Sequence, residues 1–406
     1  MTNGVQRVAM VSMHASPDAP PGSSDSGSMN VSILATALEL AARDVEVDLI
    51  TRASGFAGQR AVAPGVTLHA LTAGEHGGMS TGGLATVVDE FGEAVAELTR
   101  RGDRPYDVIH AHYWLSGIAA LPVALELGIP FVQSFHTLGA STNAVLGAAG
   151  NPEPDRRLWS ERYLSTQADA IVAVSAAEAT ALIDAVGAQP GRVWVIPPGV
   201  DSEQFTPARA AKTVSVHAFL GIDGDRPILS VVGRIQGMKD QELALRALAA
   251  LASPRPLLAI VGEPARGDGQ YLDRLQRLAL ELGIAADVRF IGMLDRVQLA
   301  NLLASSAMVL MPSLGEPYGL VALEAAASGI PVIASRVGGL SEAVVDGVTG
   351  VLVDSRDPAN WAREISSLLA DGGRRVELSA AARRRSEGLS WGAAATSLLG
   401  VYASLG

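Results

Sequence analysis

Short apolar runs alternate along the chain with longer segments in which apolar residues recur at helical spacing. Such runs are typical of parallel strands buried on both faces, and the segments between them are typical of connecting helices. In the first half the predicted strands are Val8–Met13, Val45–Thr51, Val108–His112, Phe131–Phe135 and Ala170–Val174. In the second half they are Pro227–Gly233, Leu257–Gly262, Val288–Ile291, Ala307–Met311 and Pro331–Ala334. The pattern predicts an α/β protein with two successive parallel sheets.

The segment Val193–Asp201 is predicted as a strand that runs into a Pro-Pro-Gly break, and this break is the candidate linker between the two halves. We therefore expect two Rossmann-like domains, at residues 1–198 and 199–387, with a closing helix at 388–406 that packs back on the first domain. The length of 406 residues fits two domains of about 200 residues each. Ligands bind at the carboxyl ends of the strands in such sheets, so the domains are expected to face an interdomain cleft.

Composition narrows the class of protein. The formal net charge is −11, and there is no basic stripe with interleaved aromatic residues, so we expect no nucleic-acid partner. The chain has no cysteine, no apolar run near the roughly 20 residues of a transmembrane segment, and no signal-peptide pattern at its start. The expected location is the cytoplasm. Lysine is rare, since only Lys212 and Lys239 occur.

The strongest chemical signal is the segment Ser313–Gly329, SLGEPYGLVALEAAASG. Glu316 is predicted in the loop after a strand, and Glu324 just over one turn inside the helix that starts near Leu320. Backbone N–H groups at a helix start suit an anionic or hydroxyl-rich ligand. A carboxylate on the apolar face around Glu324 needs hydrogen-bond donors, which a ribose diol would supply. The alternative is a solvated Glu316 and a Glu324 that pairs with a basic residue.

Two cations follow the first strand of the second half. Arg234 and Lys239, five residues apart, are predicted at the carboxyl end of that strand, and a fork-shaped donor with a compact ammonium suits a diphosphate leaving group. The alternative is a solvated surface pair. The one Asp-x-Asp sequence, Asp223–Asp225, is interpreted as a loop, so no metal and no other cofactor is expected.

The first half contributes a glycine-containing turn and two strand ends. In the segment Gly22–Leu34, Gly27 and Ser28 precede a predicted helix, where backbone amides could approach phosphate, although an ordinary loop is the alternative. The segments HAHYWLSG and QSFHTLG end strands, so Tyr113, His136 and Thr137 are predicted at the ligand-binding edge. We interpret His110 or His112 as structural and His136 as functional.

With this pair of glutamates, the Arg–Lys pair and a glycine-containing first loop, the chain resembles the family 4 retaining glycosyltransferases of GT-B fold. The pieces DSGSMNVSIL, HAHYWLSG and FHTLG are most similar to the group that contains the actinobacterial D-inositol-3-phosphate N-acetylglucosaminyltransferases of mycothiol biosynthesis and the sucrose-phosphate synthases. The resemblance implies a nucleotide-sugar donor, a small hydroxyl acceptor and carbohydrate metabolism as the setting. A homodimer is one assembly that it allows.

The resemblance also implies roles for individual residues. The residues that it places in catalysis are Arg234, Lys239, Glu316 and His136. Those that it places at the donor are Gly27, Ser28, Leu294, Tyr318, Gly319, Leu320 and Glu324. Those that it places at the acceptor are Asn30, Tyr113, Thr137 and Arg157, with Arg156 as an alternative to Arg157.

The acceptor side departs from this pattern. Thr81 stands where the resemblance implies a lysine, and the stretch GASTNAVLGAAGN carries no cation. Losing a charged hydrogen bond to phosphate costs about 1.5–3 kcal/mol. We therefore predict transfer of GlcNAc or glucose from a UDP-sugar to a hydroxyl of a small polyol, cyclitol or sugar. The alternatives are a mycothiol-type inositol-phosphate transferase and a non-transferase enzyme such as a UDP-sugar epimerase on the same fold.

Overall fold

A computed structural model describes residues 4–20, 28–75, 77–146, 152–222, 224–265 and 269–406. They form two compact units, each built on its own sheet. The first unit comprises residues up to Ala19 together with 28–198 and 391–406, and the second comprises Pro20 and 199–390. The predicted fold class, two α/β units with parallel sheets, is confirmed.

The first unit contains an eight-stranded sheet among the described residues, in the order β3-β4-β2-β1-β5-β6-β7-β8. The strands are β1 Arg7–Val11, β2 Glu46–Arg52, β3 Gly58–Ala63, β4 Val66–Leu71, β5 Val108–His112, β6 Phe131–Ser134, β7 Ala170–Ala173 and β8 Val193–Val195. Strand β3 pairs antiparallel with β4, and the other described pairs are parallel. Strands β2 to β4 lie on one side of β1 and strands β5 to β8 on the other, so the strand order reverses between β1 and β5.

Helices cover both faces of this sheet. They are α1 Met29–Ala41, α2 Thr81–Leu84, α3 Val88–Arg101, α4 Trp114–Leu127, α5 Gly139–Leu146, α6 Asp155–Gln167, α7 Ala176–Ala181 and α16 Trp391–Ala403. Alternate residues of β1 enter different cores: Ala9 and Val11 pack in the core that includes Phe91 of α3, while Val8 and Met10 pack in the core of α1 and α16. Burial on both faces explains the continuous apolar run.

The second unit contains a six-stranded parallel sheet in its described part, in the order β11-β10-β9-β12-β13-β14. Its strands are β9 Ile228–Val232, β10 Leu257–Val261, β11 Val288–Gly292, β12 Met308–Met311, β13 Val332–Ser335 and β14 Gly350–Val353. Its helices are α8 Thr213–Leu220, α9 Gln241–Ala249, α10 Gly269–Glu281, α11 Arg296–Ala304, α12 Leu320–Ala327, α13 Leu340–Ala343, α14 Pro358–Ala370 and α15 Gly372–Glu387. The strand order reverses between β9 and β12.

Short segments of other helical types complete the description. A π-helical turn spans Leu182–Val186, and 3₁₀ turns span Pro190–Arg192, Pro207–Lys212, Gly237–Lys239 and Ala285–Asp287. Within the described ranges, no helix has the length and apolar character needed to cross a membrane.

Three strands were absent from the sequence prediction: β3, β4 and β14. Four of the six residues of β3 are exposed, and two polar residues, Gln59 and Arg60, interrupt the small and apolar ones. The segment therefore lacks the signal of a buried strand, and it is extended because it pairs with β4. The buried strand β14 spans only four residues, Gly350–Val353, just after a turn. Pairing partners, and not local pattern, define these strands.

Candidate functional site

Two of the predicted groups meet where the strand order of the second unit reverses. Lys239 lies in the segment after β9, and Glu316 lies in the loop after β12; their side chains form an ion pair. The two segments are also joined by their backbones, because the Leu314 N–H donates to the Met238 carbonyl at 2.9 Å. A point where strand order reverses is where ligands bind in open parallel sheets. Lys239 and Glu316 therefore lie at the carboxyl edge of this sheet where its strand order reverses, and their role in binding a ligand stays a prediction.

Arg234 begins the same segment directly after β9. Its backbone carbonyl accepts a hydrogen bond from Gln241 Nε2 at 2.8 Å, and the Gln241 side chain is fully buried. Gly233, just before it, has a φ of 147°, and Gly262 packs so closely on the Gly233 carbonyl that a Cβ would clash. The turn that carries Arg234 is thus fixed by a buried side chain and by a close approach of two backbones.

Glycines clamp the loop that carries Glu316. Gly319 precedes α12 with a φ of 99°, a conformation that side chains disfavour. From the segment after β13, the Gly339 N–H donates to the Glu316 carbonyl at 2.9 Å. A Cβ at Gly338 would clash with the Glu316 carbonyl, and one at Gly339 with that of Pro317. Gly338 and Gly339 were missed by the sequence analysis, although a Gly-Gly pair after a strand is a usable signal.

Glu324 lies on α12, as predicted, and is 2% exposed. It forms an ion pair with Arg296, whose guanidinium lies 4.5 Å from the centre of the Phe205 ring. Burial raises the pKa of Glu324, and the charge and hydrogen bond of Arg296 oppose that rise. The pairing is the alternative that the sequence left open for this residue, and its role at a ribose stays a prediction.

The remaining predicted donor residues of this unit lie at the start of α12 or after β11. Tyr318 is buried before α12, Leu320 is the first residue of α12, and Leu294 lies between β11 and α11 against a small apolar core. Asp240 follows Lys239 with a φ of 44°, caps α9 through the Leu243 N–H, and pairs with Arg356. The pairing with Arg356, 116 residues away, could not be inferred from the sequence.

In the first unit, two predicted residues have strained backbones at adjacent strand ends. Tyr113 follows β5 with a φ of 73°, and His136 follows β6 with a φ of 61°. Neither is glycine, and such conformations cluster at functional sites because the surrounding structure must hold them. The Tyr113 ring lies 4.3 Å from the His14 ring and 5.1 Å from the Arg157 guanidinium.

Arg157 and Thr137, both predicted at the acceptor, contact each other. Arg157 Nη2 donates to the carbonyl and to Oγ1 of Thr137, each at 3.0 Å. Two carboxylates flank the same guanidinium: Glu161 at 2.7 Å and Glu153 at 2.9 Å. Glu161 also accepts from the Gly139 N–H at 2.9 Å. Burial works against the charge, but Tyr113 and these carboxylates outweigh it and raise the pKa of Arg157.

The sequence analysis missed Glu153 and Glu161. Their spacing was a signal, because Glu153, Arg157 and Glu161 follow one another at intervals of four residues and the latter two lie on α6. As a result, Arg157 is not an isolated cation.

The three histidines at the ends of β5 and β6 are close together. His112 Nδ1 lies 3.0 Å from His136 Nε2, and the His110 and His112 rings are 4.2 Å apart. Burial lowers the pKa of His110 to about 3 and that of His136 to about 4, and it lowers that of His112 well below its usual value. All three rings are therefore neutral near pH 7.

The residues predicted around the first loop are only partly described. Ser28 directly precedes α1 and is exposed, and Asn30 is buried with its side-chain amide donating to the Ala19 carbonyl at 2.6 Å. Gly27 lies outside the described residues, as does Asp223. In the part of the chain that the structure covers, no three His, Asp or Glu side chains gather in a way that could hold a metal ion.

Two family models match the chain. One, described as Glycosyltransferase Family 4, matches residues 29–204, and the other, described as Glycosyl transferases group 1, matches residues 215–385. Together they span both compact units.

Curated relatives match along nearly the whole chain. The D-inositol 3-phosphate glycosyltransferase of Stackebrandtia nassauensis is 40% identical over 98% of this chain and 91% of its own length. The protein of the same name from Mycolicibacterium smegmatis is also 40% identical over the same shares.

Solved structures match the fold. Sucrose-phosphate synthase from Thermosynechococcus elongatus has a TM-score of 0.91 at 30% identity, covering 98% of this chain and 99% of its own. Anabaena HepE, solved in complex with UDP and glucose, has a TM-score of 0.79 at 20% identity, covering 98% and 100%.

Proposed function

Because the chain belongs to the glycosyltransferases of GT-B fold, we propose that it moves a hexosyl group from a UDP-sugar to a hydroxyl of a small polyol, cyclitol or sugar. UDP-N-acetylglucosamine is the first donor to test and UDP-glucose the second. The observation that carries the proposal is the ion pair of Lys239 with Glu316 where the strand order of the second unit reverses. This pair holds a cation and a carboxylate at one ligand-binding edge, which suits a diphosphate next to a sugar.

On this proposal the second unit binds the donor. Arg234 and Lys239 donate to the diphosphate, and Glu324 accepts from the ribose hydroxyls. The backbone at Leu294 meets the uracil. Glu316 and the amides of Tyr318, Gly319 and Leu320 hold the sugar hydroxyls. In the first unit, His136 binds a sugar hydroxyl, the one at C6.

We further propose that transfer proceeds with retention of configuration and without a metal ion. The bond from the anomeric carbon to the phosphate oxygen breaks, and the acceptor oxygen bonds to that carbon on the same face. The proton of the acceptor hydroxyl passes to the leaving phosphate oxygen. Catalysis then consists of positioning and of stabilising the charge on the diphosphate, for which Arg234 and Lys239 supply the cations.

The charges around Arg157 support an unphosphorylated acceptor. Glu153 and Glu161 both lie within 3 Å of the guanidinium, so the three groups together carry no net positive charge. Thr81, at the start of α2, adds no cation. A phosphate that entered here would meet two carboxylates as well as the arginine, and like charges at such distances repel. A neutral or cationic acceptor avoids that repulsion.

A phosphorylated cyclitol is the second candidate. It is favoured by the names of relatives that are 40% identical over nearly the whole chain, which are D-inositol 3-phosphate glycosyltransferases. On this alternative, Arg157 would leave a carboxylate to bind the acceptor phosphate.

The deciding experiment is product analysis by mass spectrometry. The protein is incubated with UDP-N-acetylglucosamine and, separately, with free myo-inositol, an aminocyclitol and inositol 3-phosphate, and the Glu316→Gln variant serves as the control. A glycosylated product from an unphosphorylated acceptor, lost in the variant, supports the proposal. A product from inositol 3-phosphate alone would establish the second candidate. Conversion of the donor without any acceptor would instead indicate an epimerase or another non-transferase enzyme.

A further inference from the structure

The histidine cluster of the first unit, His110, His112 and His136, contains one bond whose proton position matters for chemistry. His110 and His112 point to the same face of β5 because they are two residues apart. The His112 and His136 rings are 5.2 Å apart between centres. All three are neutral, so each ring carries one N–H, and its position can be deduced from the partners.

The hydrogen bonds of His110 are complete. Ser134 Oγ donates to the Val172 carbonyl at 3.2 Å, since a carbonyl can only accept, and it therefore accepts from His110 Nε2 at 3.0 Å. The bare Nδ1 of His110 accepts from the Tyr402 hydroxyl at 2.7 Å. Burial raises the pKa of Tyr402, so this hydroxyl keeps its proton. His110 is thus fixed in one tautomer and has a structural role, as the sequence analysis allowed.

The hydrogen bond between His112 Nδ1 and His136 Nε2 can have either nitrogen as its donor. If His136 donated through Nε2, His112 would carry its own proton on Nε2. That atom is buried and has no hydrogen-bond partner among the described residues, so a buried N–H would be left without an acceptor. If His112 donates through Nδ1, the unpaired atom is a bare nitrogen. Unpaired buried N–H groups are rarer in proteins than unpaired buried acceptors, which favours the second reading.

We propose that His112 is a positioning residue that donates through Nδ1–H to His136 Nε2 and so holds His136 in its Nδ1–H tautomer. His136 is partly exposed, and it then presents an N–H donor on its free ring nitrogen. The strained backbone at His136 fixes the position from which its side chain extends. The hydrogen bond from His112 fixes which ring nitrogen of His136 carries the proton. The role of this donor toward a sugar hydroxyl rests on the proposed function, whereas the tautomer itself does not.

Nitrogen NMR of protein labelled with ¹⁵N-histidine tests the tautomer without any turnover. Protonated and bare ring nitrogens resonate far apart, and the His136 signals are identified by their loss in His136→Gln. The expected result is a protonated Nδ1 and a bare Nε2 for His136. A protonated Nε2 would overturn the proposal, even in a protein that failed to transfer sugar.

Two substitutions at His112 separate donation from packing. In His112→Asn the side-chain amide N–H can replace the Nδ1–H donor, and we expect the His136 tautomer to persist with kcat/KM within about threefold of the wild type. In His112→Phe the donor is lost, and we expect a mixture of His136 tautomers with kcat/KM about tenfold lower. Equal losses in both variants with an unchanged His136 spectrum would refute the proposal.

Tyr402→Phe is the matched control, because it removes one hydrogen bond from the same histidine cluster at His110. We expect this variant to be less stable and to keep the His136 tautomer. A change of tautomer as large as that in His112→Phe would assign the effect to packing of the cluster and would also refute the proposal. If His112→Phe does not fold, the His136 tautomer in the wild-type spectrum still tests the proposal.

Discussion

The polar groups around the predicted site residues are in different electrical states in the two compact units. In the second unit the groups are ion pairs, Lys239 with Glu316 and Arg296 with Glu324. In the first unit they are neutral histidines, whose charged forms are disfavoured by burial. Fixed charges suit a ligand that is itself charged, such as a diphosphate, whereas neutral nitrogens suit hydroxyl groups. The difference thus agrees with the contacts that we propose, to the diphosphate from the second unit and to a sugar hydroxyl from His136.

Arg157 is a charged group among the predicted site residues of the first unit, and it sharpens the comparison. Its charge is enclosed by Glu153 and Glu161, whereas Lys239 has one carboxylate partner among the described residues, Glu316. A guanidinium paired with two carboxylates has little positive charge left to attract an anionic ligand. The following predictions test whether the contrast between the units holds.

The largest expected effect is on stability and comes from the buried pair of the second unit. Arg296→Leu leaves Glu324 without a counter-charge in a fully buried site, which should lower the free energy of unfolding by about 3–5 kcal/mol. Urea denaturation measures this change in the free energy of unfolding. The double variant Arg296→Leu/Glu324→Gln should recover most of the loss. Arg363→Leu, at an exposed pair in the same unit, serves as the control, and an equal loss there would contradict the prediction.

The second prediction concerns the charge at the ligand-binding edge. Lys239→Met should lower kcat by about 100- to 1000-fold with the fold intact, because it removes a donor to the departing diphosphate. Steady-state kinetics with the donor and acceptor found by mass spectrometry measures this. Lys212→Met, at the other lysine of the chain, is exposed on a 3₁₀ turn and should behave as the wild type. A loss below tenfold at Lys239 would argue against its role.

The third prediction concerns the neutral histidines. Their folded-state pKa values lie below the unfolded value of about 6.5, so between about pH 6.5 and 4 the unfolded chain binds more protons. Stability should therefore fall as the pH falls through this window, by up to about 1.4 kcal/mol per pH unit for each histidine. His110→Gln should flatten the slope by about that amount, measured by urea denaturation at pH 7, 6 and 5.

The control for this slope is His217→Gln, at a partly exposed residue of the second unit that contacts the Gly224 carbonyl. We expect this variant to keep the wild-type slope. A wild-type slope in His110→Gln would show that the histidine cluster is not held neutral by burial.

The smallest effect tests the charge balance at Arg157. Glu153→Gln removes one partly exposed carboxylate, and we expect the ratio of kcat/KM for inositol 3-phosphate over free myo-inositol to rise by about two- to fivefold. Competition between the two acceptors in one reaction measures this ratio directly. Glu126→Gln, at an exposed pair with Arg100, is the matched control. A ratio that stays constant would show that Glu153 does not influence the acceptor.

Much of the fold was predictable because the signals were local. The apolar runs around Val108–His112 and Ile228–Val232 predicted buried parallel strands, and these strands are present. Strand β3 could not be predicted, since its mostly exposed residues become a strand only by pairing with β4. Helix α12 was predicted to start near Leu320 with Glu324 just over one turn inside it, and it spans Leu320–Ala327.

The sequence by itself determined which kinds of side chain follow each strand. Arg234, Lys239, Glu316 and His136 were located at strand ends by local pattern, because chain order alone places a residue after a strand. Only the tertiary structure decided their partners. Arg296 reaches Glu324, and His112 reaches His136, across 28 and 24 residues. Which polar groups become partners depends on how strands pair and helices pack, and burial in that packing sets their charge and proton positions.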